Sequence, residues 1–307
     1  MTRLLPAAFS VLAMVAPPAM AQALAVEEVA PGVFVHAGVH EEFTAANEGA
    51  IANLAFVVGE EMVAVIDSGG SLREGRRLRE TVAAHTDLPV RWVIATHAHP
   101  DHLFGHAAFA GDGARFAGHQ RLPREVASKG PLYLDSMTRL LGAASAGTEL
   151  VAPDVTVPVG APLDIDLGGR VLRLQAWPTA HTAADLTALD LESGTLFAGD
   201  LLFMERLPVV DGSLTGWLDV MTELAALPAE RVVPGHGPAQ AAWPDALAPQ
   251  RAYLEALRDS VRKAIAQGMP LGRAAEEIPL PAGQSWLLVD ENHPRNVIAS
   301  YTELEWE

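Results

Sequence analysis

A layered α/β fold is predicted by three features of this 307-residue chain. Short apolar runs alternate with stretches whose apolar and charged positions are spaced as on helices. The runs are continuous rather than alternating, as in strands buried on both faces. Five of them end at Asp or His, where a rigid sheet presents loops. Hydrophobic residues make up 50% and charged ones 19%, the balance of an ordered globular protein.

In chain order, Met1 to Ala21 reads as an export segment. Arg3 gives a positive start, Leu4 to Ala16 an apolar stretch and Ala19-Met20-Ala21 a small-x-small cleavage site. The stretch is short of the ~20 residues that a membrane span needs. Cleavage between Ala21 and Gln22, and a periplasmic or secreted product with no membrane span, are therefore expected. Strands are expected at Val33–His36, Ala52–Val58 and Met62–Ile66, the last ending at Asp67-Ser68-Gly69-Gly70. A helix over Leu72–His85 leads to a central strand, Arg91–Ala95, with further helices at Leu103–Phe109 and Gln120–Ser128.

The second half repeats the theme. Val171–Leu174 precedes His181, and Leu186–Leu191 and Thr195–Ala198 are strands, the latter ending at Gly199-Asp200. Leu218–Ala226 is helical, and Arg231–Pro234 gives way to Gly235-His236-Gly237. A long amphipathic helix, Gln250–Gln267, stops at Met269-Pro270; Ser285–Asp290 is a short run and His293–Glu305 a last helix. No Gly/Ser linker sets this tail apart. The division is thus residues 1–21 for export, 22–245 for the α/β domain and 246–307 for a helical extension packed on it.

The formal net charge is −17 and there is no basic run, which argues against nucleic acid and anionic membrane surfaces as partners. A small-molecule substrate is the expected partner. The chain has no cysteine, so a metal site here must use nitrogen and oxygen. One stretch supplies them densely: Thr96-His97-Ala98-His99-Pro100-Asp101-His102 follows the strand Arg91–Ala95. Neutral imidazoles suit a borderline metal and a carboxylate neutralises its charge. Pro100 biases His99 toward extended backbone and stiffens the loop.

The stretch His97-Ala98-His99-Pro100-Asp101-His102, followed by His181, Asp200 and His236 and preceded by Asp67, resembles the metallo-β-lactamase-fold hydrolases over about Val26 to Pro238. The resemblance implies an αββα four-layer sandwich carrying two zinc ions per chain. His97, His99 and His181 would hold the first zinc, and Asp101, His102 and His236 the second. Asp200 would bridge them, as in the glyoxalase II-like branch. Asp101 and Asp67 are the candidate catalytic carboxylates, Asp67 acting from behind the ligands by fixing loop geometry; a plain turn-forming role before Gly69-Gly70 is its alternative. The antibiotic-degrading members tend to have cysteine or serine near the position of Asp200, which makes lactam hydrolysis a secondary reading. The stretches Ala45–Asn53, Asp211–Trp217 and Asn292-His293-Pro294-Arg295-Asn296 resemble an exported branch associated with quinoprotein and sulfur-oxidation systems.

The ligand set implies a metal-bridging hydroxide attacking an ester, thioester or lactone carbonyl, since metal binding lowers the pKa of water from 15.7 to about 7. No Gly-x-Ser-x-Gly elbow suggests a serine route. Iron could occupy the same ligands, as in a persulfide dioxygenase, and a metal-holding accessory protein of a periplasmic redox system is a third reading; a nuclease is disfavoured by the acidic surface. Leu201–Gly216, with Phe203, Arg206 and Asp211, is expected to wall the pocket. Arg206 would meet either a substrate carboxylate or a surface salt bridge. His36–Glu42 is a flap whose His40 and Glu41 are more simply solvated. His106 and His119 are structural, His85 lies at the surface, and Trp286 and Trp306 anchor the tail. His293 either packs or reaches over the site.

Overall fold

The computed structural model describes residues 23–283 and 285–307; the export segment expected at Met1 to Ala21 lies outside the described residues. Two mixed sheets lie face to face. The first runs in chain order through β1 (Glu27–Ala30), β2 (Val33–His36), β3 (Leu54–Val58), β4 (Val63–Ile66), β5 (Val90–Ile94), β6 (Arg115–His119) and β7 (Val155–Val157). Its first four strands are antiparallel, and β4 to β7 are parallel. Between them come α1 (Leu72–His85), α2 (Pro100–Leu103), a 3₁₀ turn over His106–Asp112 and α3 (Leu122–Leu141). The second sheet is ordered β13-β12-β11-β10-β9-β8, from β8 (Leu163–Asp166), β9 (Val171–Ala176), β10 (Leu186–Asp190), β11 (Thr195–Phe203), β12 (Arg231–His236) and β13 (Ala241–Ala242). The helices of this half are α4 (Leu214–Leu224), α5 (Leu247–Ala266), α6 (Leu271–Glu277) and α7 (Val289–Leu304).

Strand β3 shows why its run is apolar at every position. Ala55 and Val57 face the second sheet and pack with Leu172, Leu174 and Phe197. Leu54 and Phe56 point the other way, into a cluster with Leu78 and Val82 of α1. Successive side chains alternate faces, so a strand covered on both sides has no polar position to spare. On the far side, α4, α5 and α7 share one cluster with the outer face of β11 through Trp217, Tyr253, Leu254 and Val297. Helix, sheet, sheet, helix is the expected four-layer order, with the C-terminal helices part of the outer layer. Gln250 of α5 is fully buried; its Oε1 accepts from Phe203 N (2.7 Å) and its Nε2 donates to Leu201 O (2.9 Å), fixing the helix to β11.

Several boundaries differ from expectation. The helix expected at Leu103–Phe109 is a single turn ending at Leu103 followed by a 3₁₀ turn; at the break Gly105 N donates to Gly69 O (2.9 Å) instead of to a carbonyl of its own helix. The helix expected over Gln120–Ser128 runs on to Leu141, through Pro131. Strand β11 continues past Asp200 to Phe203, since Leu201, Leu202 and Phe203 are buried beside β12. The run Ser285–Asp290 forms no strand; a lone bridge between Leu287 and Arg206 precedes α7. No helix among the described residues is long and apolar enough to cross a membrane.

Candidate metal centre

Strand β5 delivers the histidine-rich loop, and its neighbour β4 delivers the residue that holds it. Asp67 follows β4 with a left-handed backbone (φ 56°), a conformation that Asp tolerates better than most residues. That turn aims its carboxylate sideways. Oδ1 accepts from Thr96 N (2.8 Å), and Oδ2 accepts from Thr96 Oγ1 (2.8 Å) and from His102 Nδ1 (2.7 Å). Asp67 thus both makes the turn and pins the loop. Asp67→Ala is expected to weaken metal binding about 10–100-fold, the usual cost of losing a group that orients a ligand. Competition with a chelator measures it; unchanged affinity would reduce Asp67 to a turn-former.

Two groups of ligand atoms converge among the described residues. His97, His99, His181 and Asp200 form one, and Asp101, His102 and His236 the other; within each, one atom per residue lies within 4.8 Å of all the rest. Asp200 reaches both. Its carboxylate oxygens lie 3.7 Å from His97 Nε2, 3.4 Å from His181 Nε2, 3.1 Å from His102 Nε2 and 3.4 Å from His236 Nε2. A shift in the β11–β12 register between Gly199 and Phe203 accompanies this placement. Gly235 of β12 must be glycine for it, because a Cβ there would fall 2.0 Å from Asp200 Oδ1.

Each imidazole has its other nitrogen committed. His97 Nδ1 is 3.0 Å from Thr96 Oγ1, His181 Nδ1 donates to Val209 O (2.7 Å), and His236 Nδ1 donates to Ile51 O (2.7 Å). His99 Nε2 faces Asp211 Oδ2 at 3.3 Å. The remaining nitrogens therefore present lone pairs. Those of His99 Nδ1 and His181 Nε2 stand 3.1 Å apart, and two lone pairs at that distance repel unless a proton or a metal ion lies between them. His97 Nε2, His102 Nε2 and Asp200 Oδ1 are buried with no hydrogen-bond partner. Orphaned buried polar atoms are costly, and a divalent cation is the group that relieves all of them together. The donor set of nitrogen and carboxylate oxygen fits zinc.

Charge supports the same reading. Burial holds His181 down to about 4 and His97 well below its ordinary value, so both are neutral ligands at pH 7. Burial also opposes charge on His102, yet Asp200, Asp101 and Asp67 around it push it well above the ordinary value. That excess of negative charge attracts a proton or, more strongly, a metal. Asp101 stays low despite burial, because His102 and His236 face it.

Five of the seven, His99, Asp101, His181, Asp200 and His236, line a cleft of about 270 Å³ together with Phe43, Ile51, Tyr133, Phe203 and Arg206. A larger hollow of about 410 Å³ along Asp164, Arg173 and Gln175 contains none of them. All seven ligand candidates thus come together. His106 and His119 do not join them: His106 Nδ1 bonds Ser68 Oγ (2.6 Å) and His119 Nε2 donates to Trp177 O (3.1 Å). His85 is exposed. His40 pairs with Glu205 rather than lining the cleft, whereas the neighbouring Glu42 does line it. His293 packs, bonding Tyr253 OH (3.0 Å) and Ile278 O (3.0 Å). Trp286 packs beside the core, but Trp306 is 84% exposed and anchors nothing. Arg206 is buried rather than in a surface salt bridge; its nearest carboxylate is Glu42, at 4.0 Å.

Sequence reasoning missed three contributions. Asp211, expected on the wall, turns its carboxylate to His99 and also to Lys129 Nζ (3.3 Å). Asn53 ties the metal-side loops together: its Nδ2 donates to Pro234 O (2.9 Å) and its Oδ1 accepts from Gly38 N (3.0 Å). Asn292 and Arg295 of α7 line the cleft. Their adjacency to His293 in the tail motif was the one available signal.

A family model described as the metallo-beta-lactamase superfamily matches residues 49–236. Among solved structures, the chain is similar to a stereoselective inverting sec-alkylsulfatase, Pisa1 from Pseudomonas sp., at 14% identity and a TM-score of 0.69, covering 92% of this chain and 50% of that one. It is also similar to a metallo-beta-lactamase from Pontibacter korlensis (21% identity, TM-score 0.61, 76% of this chain and 99% of that one). A third is the metallo-beta-lactamase FIM-1 from Pseudomonas aeruginosa in its mono-zinc form (19% identity, TM-score 0.60, 77% and 96%). These three are likenesses of fold. A search of curated proteins gave no match.

Proposed function

From the premise that this chain belongs to the metallo-beta-lactamase superfamily, we propose that it is an exported, dinuclear zinc hydrolase of an ester, thioester or lactone carbonyl. The observation that carries the proposal is Asp200, one carboxylate within 3.7 Å of imidazoles from both ligand groups. His97, His99 and His181 would hold one ion and Asp101, His102 and His236 the other, with Asp200 shared. Bound zinc supplies a Lewis acid for the substrate oxygen and a water acidic enough to be deprotonated near neutral pH.

The chain's own groups set the rest. Asp67, Val209 O, Ile51 O and Asp211 fix the tautomer and aim of four imidazoles before substrate arrives. Tyr133 lines the cleft, and burial raises its phenol to about 12, so it faces substrate as a neutral O–H donor. Phe43, Ile51 and Met137 offer an apolar wall for an acyl group and exclude water from that side.

Metal analysis by mass spectrometry, beside a panel of thioester, lactone, alkyl sulfate and cephalosporin substrates, tests the reading. Two zinc ions per chain with turnover of a thioester or lactone is the expected result. One iron per chain with sulfide-dependent oxygen uptake would overturn it in favour of an oxidoreductase. Turnover confined to alkyl sulfates or cephalosporins would move the scissile bond away from an ester carbonyl.

A further inference from the structure

We propose that the cleft selects substrates bearing a free carboxylate, recognised by a wall built from Arg206, Asn292 and Arg295; the inference rests on the hydrolase reading above and names its substrate class. All three residues line the cleft that holds the ligand groups. They come from two segments that are stitched together beside it. Leu287 N donates to Glu205 O (2.8 Å) and Leu207 N donates to Leu287 O (3.0 Å), which places the start of α7 against the loop carrying Arg206.

Each of the three has donors to spare. Arg206 is 5% exposed, and its Nε–H is buried without an acceptor. Its Nη1 is 3.2 Å from His236 Nδ1, but that nitrogen already donates to Ile51 O, so two donors meet there and no hydrogen bond satisfies the guanidinium. Asn292 is 2% exposed, and its Nδ2 likewise has no acceptor. Arg295 is exposed and forms no ion pair or hydrogen bond among the described residues. Nature leaves buried donors unpaired where a ligand completes them more readily than in a packed core.

The neighbouring residues explain why these positions are held. His293 bonds Tyr253 and Ile278 O, while Asn296 Nδ2 donates to Pro208 O (2.6 Å) and its Oδ1 accepts from Val210 N (2.9 Å). In Asn292-His293-Pro294-Arg295-Asn296 two residues therefore pin the helix and two face the cleft. Charge selects the ligand. Arg206 and Arg295 bring two positive charges and Glu42, 4.0 Å from Arg206, one negative, which suits a monoanion better than a phosphate dianion. Guanidinium forks match the planar geometry of a carboxylate. The apolar Phe43 and Met137 would take the chain between that carboxylate and the ester.

The test compares thioesters whose acyl chain ends in a carboxylate with the same compounds ending in a neutral amide. Zinc-loaded enzyme is expected to favour the acid at least about tenfold in kcat/KM, the effect of a charged hydrogen bond. R295Q and N292A should bring the acid-to-amide ratio toward one, mainly through KM, and R295K should restore part of it. Calorimetric binding of 4-mercaptobutanoate against 4-mercaptobutanamide gives a readout independent of turnover and should show the same preference and the same loss. A ratio near one in the unaltered enzyme, or a ratio unmoved in R295Q, overturns the carboxylate wall. Failure to cleave any ester, thioester or lactone overturns the hydrolase reading instead, and the mercapto pair still decides the wall.

Discussion

Asp200→Asn is expected to lower kcat/KM on the order of 10³-fold or more and to reduce the metal held per chain. Asp200 is 4% exposed and faces four imidazoles, so its charge is felt at low effective dielectric. Losing that charge removes several kcal/mol of metal and transition-state stabilisation, and each 1.4 kcal/mol is a factor of ten. The amide also forces an N–H or a weaker acceptor against lone pairs that have no other partner. Mass spectrometry of the dialysed protein, beside turnover at saturating added zinc, checks both parts. Full metal content with turnover within threefold of the unaltered enzyme would remove Asp200 from the centre.

Arg170→Met is expected to destabilise the fold by about 3–5 kcal/mol, because it leaves a buried carboxylate without its partner. Arg170 is only 6% exposed and Asp190 is fully buried. Arg170 Nε and Nη2 donate to the two carboxylate oxygens of Asp190 at 3.1 and 2.6 Å. Nη1 crosses to the first sheet, donating to Pro31 O (2.9 Å) and Val58 O (3.1 Å). The side chain therefore fastens one sheet of the sandwich to the other. Urea unfolding measures the loss, and pairing Arg170→Met with Asp190→Leu should recover most of it, since both buried charges are then gone.

The pH dependence follows from the direction of the Asp190 shift. Burial would raise its pKa, but the Arg170 and Ser193 hydrogen bonds outweigh it and hold it below the ordinary value. A carboxyl with a depressed folded pKa contributes stability that is present above its unfolded pKa of about 3.9 and lost as pH falls through the folded value. The gap between Arg170→Met and the unaltered protein should thus be widest at neutral pH and narrow below about pH 4. A gap independent of pH would mean that packing, not the ion pair, sets the cost.

The strands and the ligands were legible for local reasons. A strand covered on both faces must be apolar at each position, so β3 and β4 announce themselves in single runs, and β5 does so from Trp92 onward. His97, His99, Asp101 and His102 lie within six positions, where one loop carries them all. Edge strands such as β1, β7 and β8 left weaker marks, being short and half exposed. The β11 boundary lies beyond its local signal because Gly199-Asp200 has the composition of a turn, while the burial of Leu201–Phe203 depends on β12 and α5.

By itself, then, the sequence determined the layered α/β class, the nitrogen and oxygen donors and the spacing that groups them, because each is written in residues close along the chain. Tertiary structure alone decided what surrounds those donors. Asp211 meets His99 across 112 positions, Glu303 of α7 accepts from Leu214 N and Thr215 N at the start of α4, and Arg206, Asn292 and Arg295 share one cleft. Contacts between segments so far apart leave no periodic trace, since a single side chain at each end suffices and only the packing of the layers brings those ends together.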